Sequence, residues 1–418
     1  MSLTDITPEV KRLASEAEGE LRDVFAGFDH VSELCTLKVM RAFQEFRVSE
    51  ACFAGTTGYG YNDLGRDTLD QIYARVFDAE QALVRIGFVN GTHAIATALF
   101  AICRPGDTLL SVTGTPYDTL ARTIGISGDV DGSLKFYGVD YAQVELLPDG
   151  EPDLVAIKKA AANPKVRAIA IQRSRGYALR RAFGVDDIEK IIKAVRAVNE
   201  SANIFVDNCY GEFTEAREPT AVGADLIAGS LIKNPGGGLA PTGGYIAGRA
   251  DLVERAAIRM TTPGIGGECG STLGVNRLLY QGYFMAPHIV AQALKTAAFC
   301  AGLMQRLGLK SSPAPLEARH DIIQMIEFGS AEKLLGFCRG IQRGSPVDSY
   351  VTPVPWAMPG YEDEVVMAAG AFIQGSSIEL SCDGPMREPY LGFMQGGLTY
   401  ESGKLGVMLA ADEIVQVK

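Results

Sequence analysis

The sequence predicts an α/β protein, with a large domain on a mainly parallel sheet followed by a smaller α+β domain. Three observations carry that expectation. Short apolar runs of strand length alternate with amphipathic helical patterns, as in successive βαβ units. Several of these runs are continuously apolar, which suits strands covered by helices on both faces. The 418 residues, 47% of them hydrophobic, exceed what one small core needs and suffice for a large one plus a lesser one.

The elements follow in order. Val10, Leu13, Ala14, Ala17, Leu21 and Val24 recur at helical spacing and predict an amphipathic opening helix within an N-terminal segment, 1–55. "FAGTTGYGYNDLGRDTLDQIYARVF" starts as a glycine-rich loop and turns helical after Asp67, with Leu69, Ile72, Tyr73 and Val76 as its apolar stripe. "QALVRIGFVNGTHAIATALFAIC" reads as strand, tight turn at Asn90-Gly91-Thr92, and apolar helix. "DTLLSV" (107–112) and "VRAIAIQRS" (166–174) are strands, and the second leads into a helix carrying Ile188, Ile191, Ile192 and Val195. "NIFVDN" (203–208), "ADLIAGSLIK" (224–233) and "GGYIAGR" (243–249) add three more, closing a large domain at 56–275. A long helix from about 275 opens a small domain, 276–418, with strands predicted at "DIIQMIEF" and "SSIELSC".

Charge and composition narrow the function. A net charge of −11 argues against nucleic acid and anionic membrane, both of which attract basic surfaces. The charged, periodic start is no signal peptide, and no run of about 18 apolar residues is present to span a bilayer. Eight scattered cysteines without a CxxC pair read as reduced, mostly buried thiols in a cytoplasm. Four histidines without HExxH or paired Cys/His spacing predict no metal site.

Parallel sheets bind ligands at the carboxyl ends of their strands. The residues there are Gly91-Thr92, Tyr117, Arg173, Asp207 and Lys233. Each has an ordinary structural explanation by itself: a strand-to-helix turn, an Asx turn or helix cap for Asp207, a solvated head on a buried stem for Lys233. Together they answer the needs of pyridoxal 5'-phosphate, which requires an amine for its aldehyde, an acid for its pyridinium nitrogen, a phosphate cup and a flat group on its ring. Lys233 supplies the amine, Asp207 the acid, and Gly91, Thr92 and Ser230 the cup at a helix start. Tyr117 supplies the flat group. The glycines of "KNPGGGLAPTGG" are expected to let the cofactor approach the backbone around Lys233.

Here the chain resembles the fold-type-I pyridoxal phosphate enzymes of the cysteine/methionine metabolism group. The resemblance rests on "VDNCYGEF", on "GSLIKN" with its serine-x-x-lysine, and on the interval from Asp207 to Lys233. It sharpens at "GYGYNDLGRDTLD", "NGTHAIATAL", "IQRSRGY", "GSLIKNPGGGLAPTGGYIAGR" and "REPYLGFMQGGLTYE", which look like the methionine γ-lyase-like or aluminium-resistance branch. These motifs run from about residue 55 to 405. The resemblance implies the aminotransferase-like fold with a seven-stranded sheet, and elimination at a carbon–sulfur bond of a sulfur amino acid. It also implies a homodimer or homotetramer whose sites are shared. Transamination or aldol cleavage on the same frame, or a protein that keeps the fold without catalysis, stay open. No intact G-x-G-x-x-G follows a strand, which argues against a nicotinamide dehydrogenase.

Relatives place a tyrosine in the loop matched by "GYGYNDLGRD" and send it into a neighbouring subunit's site, which makes Tyr61 a candidate acid. They also carry a phosphate-binding arginine two residues on, where this chain has Asp63. Arg66 is a possible substitute. A substrate carboxylate calls for an arginine's planar fork. Arg387 stands where relatives keep one, with Arg173 and Arg175 as competitors at a strand end. His93 and Cys209 read as cap or packing, and 261–274 as a mobile loop near the site.

Overall fold

The computed structural model describes residues 6–128, 130–357 and 363–416. In chain order the elements are α1 (Pro8–Glu20), α2 (Arg22–Glu45), α3 (Leu64–Val76), β1 (Gln81–Arg85), α4 (Gly91–Ile102), β2 (Thr108–Ser111), α5 (Asp118–Ile124) and β3 (Asp140–Gln143). They continue with α6 (Leu154–Ala161), β4 (Val166–Gln172), α7 (Val185–Arg196), β5 (Asn203–Asp207), β6 (Leu226–Ser230), β7 (Gly244–Gly248), α8 (Ala250–Met260) and α9 (Asn276–Arg306). The chain finishes with β8 (Lys310–Ser312), β9 (Ile323–Glu327), α10 (Ala331–Gly344), β10 (Val365–Ala369), β11 (Ser381–Pro385), β12 (Leu391–Gln395) and α11 (Tyr400–Gln416).

The large sheet has seven strands in the order β1-β7-β6-β5-β4-β2-β3. β7 runs antiparallel to both its neighbours, and the remaining pairs are parallel. The continuous apolar runs are explained by their two-sided burial. Ile169, Ile171, Ile204, Val206 and Ile227 enter one core, while Ala168, Ala170, Phe205, Leu226 and Ala228 enter another beneath α4 and α8. Each fully buried Val, Leu or Ile contributes roughly 1.5–3 kcal/mol. The second sheet, β10-β11-β12-β9-β8, is antiparallel throughout and packs with α10 and α11 into a separate core.

Three local expectations change. The opening helix is two helices parted at Leu21: α1 joins the C-terminal core, whereas Cys35, Val39 and Ala42 of α2 join the sheet's core. The edge strand β3 is half-exposed and polar, so it lacks the apolar run that marks its neighbours. The strand expected at "SSIELSC" begins only at Ser381. Residues 376–380 turn instead, because the Glu379 carboxylate accepts the backbone N–H groups of Phe372 and Ile373 at 2.8 and 2.9 Å and folds the segment back. α9, by contrast, is as long as its pattern promised. Its first half packs in the sheet's core and its last turns in the C-terminal one.

Candidate active site

The parallel register brings the strand ends together. Gln172 of β4 pairs with Asp207 of β5, which pairs in turn with Ala228 of β6, two residues before Ser230. α4 begins beside them. Asn90 caps it by accepting the His93 N–H at 2.9 Å, and the amides of its first turn have no carbonyl within the helix. His93 itself accepts the Val89 N–H at 3.2 Å and lies edge-on to Phe88, so it braces the helix start.

Gly91 is where this junction needs a glycine. A Cβ there would lie 3.1 Å from Ser230 Cβ and 3.6 Å from Cys209 Sγ. The helix N-terminus, with its positive dipole end, therefore sits directly against the Ser230 side chain. Thr92 Oγ1 stands 3.4 Å from the Tyr117 hydroxyl, which ties the cup to the aromatic candidate. All four cup and stacking candidates meet at one place.

Asp207 is almost fully buried and accepts the Cys209 N–H at 3.1 Å. Burial raises its pKa, opposed chiefly by the charge of Lys233. Lys233 is half-buried at the head of a short turn, with Nζ 3.9 Å from the centre of the Tyr210 ring. Burial works to lower the ammonium's pKa, but the fields of Cys209, Tyr210 and Asp207 outweigh it and hold the pKa above the ordinary lysine value. Cys209 and Tyr210 are themselves pushed up by burial, as Asp207 is. Tyr210 adopts φ +69°, a left-handed conformation that an aromatic residue takes only when its surroundings enforce it.

The glycines after Lys233 also serve the packing of the turn. A Cβ on Gly236 would lie 1.8 Å from the Leu231 carbonyl oxygen, and one on Gly282 of α9 would lie 2.2 Å from the Gly236 oxygen. They let the turn pack on α9, and so fix Lys233 from behind.

A cavity of about 1100 Å³ meets this cluster at Tyr117 and Gln172, and is also lined by Arg175, Tyr177, Arg180 and Arg387. Tyr177, whose hydroxyl donates to Asp383 Oδ2, was not foreseen, and neither were Arg180 and Asp383. Burial brings the Asp383 carboxyl up to about 6. The "IQRSRGY" segment flagged this loop, but nothing in the linear sequence marks a partner 206 residues away.

The two arginine candidates part company. Arg173 is fully buried below the strand ends, held by Glu215 Oε1 at 2.7 Å, Asn208 Oδ1 at 2.8 Å and Glu218 Oε2 at 3.3 Å. The structure does not bring it to the cavity. Arg387 lies at the cavity rim, exposed, and pairs with Asp363 at 3.0 Å.

Tyr61 is also apart from the cluster within its own chain. It is exposed and stacks on Tyr59 with ring centres 5.7 Å apart. Asp63, buried beneath it, caps α3 through the Arg66 N–H at 2.9 Å and accepts the Thr272 hydroxyl at 2.6 Å. Those hydrogen bonds overcome burial and lower its pKa. Arg66 is likewise engaged: its guanidinium donates to Gly60 O at 2.6 Å, Gly270 O at 3.0 Å and Glu268 O at 3.3 Å. Asp63 and Arg66 together thus clasp the tyrosine loop to residues 268–272. That loop, expected to be mobile, is tied down at these points.

The donor set fits pyridoxal phosphate: a helix start with free amides beside a serine and a threonine, a buried carboxylate, an aromatic ring and a lysine, all at one sheet edge. The methionine gamma-lyase family model matches residues 10–415. The uncharacterized protein YnbB of Bacillus subtilis is 50% identical over 97% of both chains. A crystal structure described as a carbon-sulfur lyase involved in aluminum resistance, from Clostridium novyi NT, is 52% identical, covers 98% of this chain and 96% of its own, and superposes with a TM-score of 0.95. The pyridoxal-5'-phosphate-dependent protein YhfS of Escherichia coli shares the fold at 18% identity, with a TM-score of 0.60 over 93% of this chain and 96% of its own.

Proposed function

The chain belongs to the methionine gamma-lyase family, and from that premise we propose that it is a pyridoxal phosphate-dependent carbon–sulfur lyase acting on a sulfur amino acid. The observation that carries the proposal is the convergence of Lys233, Asp207 and the start of α4 on one sheet edge. When bound, the cofactor supplies an electron sink for the bonds to an amino acid's Cα.

The chain's residues do the rest. The first-turn amides of α4, with Thr92 and Ser230, hold the phosphate. Tyr117 would supply the flat group for the cofactor's ring. Asp207 keeps the pyridine nitrogen protonated. Its negative charge would then face a cation other than the Lys233 ammonium, which weakens one of the fields that hold the lysine's pKa high. Lys233 Nζ can then take the Cα proton as a neutral amine. A sulfur on Cβ leaves in one further step, whereas one on Cγ needs a second proton shift. Both routes release the thiol and leave an enamine that water hydrolyses to a keto acid and ammonia.

Tyr61 is assigned the protonation of the departing sulfur in a neighbouring subunit. An exposed tyrosine pair that stands off its own chain's cavity suits that role, which makes the working form at least a homodimer, with a tetramer as a possible extension. An active species that sediments as a monomer would remove it. A cytoplasmic setting suits the free thiols, and no helix among the described residues is long and apolar enough to cross a membrane.

The test is a panel of cystathionine, cysteine, homocysteine and methionine with cofactor-loaded protein, read for thiol, keto acid and ammonia. Stoichiometric thiol and keto acid support the lyase. Keto acid without thiol, or dependence on an added keto-acid acceptor, would move the activity to transamination. Release of an aldehyde would indicate aldol cleavage, and no product at all would indicate a fold kept for binding.

A further inference from the structure

Four arginines crowd the segment after β4: Arg173, Arg175, Arg180 and Arg181. Two are neutralised within the fold. Arg173 has Glu215 and Glu218, and Arg181 pairs with Glu151 at 2.8 Å and Asp187 at 2.6 Å. The other two, only 1% and 9% exposed, both line the cavity that meets Tyr117.

Arg175 donates to the Ser312 carbonyl at 3.0 Å and hydroxyl at 3.2 Å, and its Nε has no acceptor. Arg180 donates to the carbonyls of Gln172 at 2.8 Å, Ser174 at 2.6 Å and Arg181 at 2.9 Å. These are dipoles, not charges. Behind them lies Arg319, 4% exposed, with none of its three side-chain nitrogens hydrogen-bonded. The nearest common counter-charge is Asp321, whose oxygens accept the Ser174 hydroxyl at 2.8 Å and the N–H groups of Arg175 and Ile323 at 3.3 and 3.1 Å. Asp321 is the carboxylate common to all three buried guanidinium groups, with Glu317 adding its field at Arg175 and Arg319 and Asp207 at Arg180. Among the described residues none of these carboxylates forms an ion pair with them, and burial drives both Arg180 and Arg319 down to about 10. An uncompensated buried charge costs several kcal/mol, and an anion entering the cavity would recover much of it.

We propose that Arg175 and Arg180 seat the α-carboxylate of the amino-acid substrate, with Arg319 reinforcing the positive field from behind. The proposal rests on the amino-acid reading above and names the residues that select for it. A guanidinium offers paired N–H groups that match a carboxylate, and the setting is dry enough for the contact to be strong. Arg387 faces the same cavity, but its side chain is 62% exposed and already paired with Asp363, so water screens what it can add.

The experiment titrates cofactor-loaded protein with L-alanine and with L-alaninamide, following the absorption of the bound cofactor. Alanine carries no sulfur, so the result is independent of whether the substrate panel finds a thiol. Arg175→Met and Arg180→Met should each weaken alanine binding by about 10- to 100-fold, the worth of a hydrogen bond to a charged group. Alaninamide affinity and cofactor content should hold, and Arg387→Met should change alanine binding less than either. Arg180→Lys, which keeps the charge but not the fork, should fall between and serves if the methionine variant folds poorly. Unchanged alanine affinity, equal losses for alanine and alaninamide, or loss of the cofactor itself would overturn the assignment. So would a larger effect at Arg387.

Discussion

Arg173 and Arg175 stand two residues apart at the end of the same strand, and both are fully buried. Arg173 meets two carboxylates and an asparagine, and burial's pull on it is overcome by Glu215 and Glu218, so its pKa is raised. Arg175 meets a serine and a carbonyl, and its pKa is lowered by burial. The difference separates two uses of buried charge. Below the sheet edge, charge closed by the fold's own counter-charge holds the chain together. On the cavity side, charge left open awaits what the cavity admits.

The comparison breaks first at Lys233. At the strand ends, Lys233→Ala should abolish turnover, a loss on the order of 10³-fold or more, while the melting temperature stays near that of the parent. Near-native turnover in the variant would remove Lys233 from the chemistry. Below the edge the pattern should invert. Arg173→Met leaves the buried Glu218 without its cation, takes from the half-buried Glu215 one of its two partners, and should lower stability by about 3–5 kcal/mol. The KM of the folded fraction should not move, as denaturant titration and steady-state kinetics together would reveal. A selective rise in KM without loss of stability would return Arg173 to the substrate.

The smallest effect is a titration. Burial would raise the Glu215 carboxyl, but His320 and Arg173 bring it down to about 2, below the ordinary value of 4.5. A depressed carboxylate stabilises the folded state above its unfolded pKa and loses that contribution as pH falls. The contribution is therefore complete above about pH 4.5 and disappears toward pH 2, at most about 3 kcal/mol. Glu215→Gln should flatten the acid limb of the stability curve by that amount. An unchanged limb would mean that the network does not hold Glu215 charged.

Much of this was legible in the sequence. The strands that end at Asp207 and Ser230, just ahead of Lys233, are apolar and buried on both faces, so their ends could be read from composition alone. What could not be read depends on side chains distant along the chain. Arg173 and Arg175 are the same residue type at the same strand end, and only the positions of Glu218 and Ser312 tell them apart. Asp63 looked like a lost arginine because its partners, Thr272 and Asn276, come more than 200 residues later. The strand misplaced at "SSIELSC" failed for a local reason: its alternation is that of a strand, but Glu379 bonds backward to two amides.

The 31 residues of α9 form a rod of about 46 Å at 1.5 Å per residue, and it belongs to both cores at once. Neither core can come apart without stripping one end of that rod of its packing. Thermal unfolding should therefore be shared between the two sheets rather than proceed in turn.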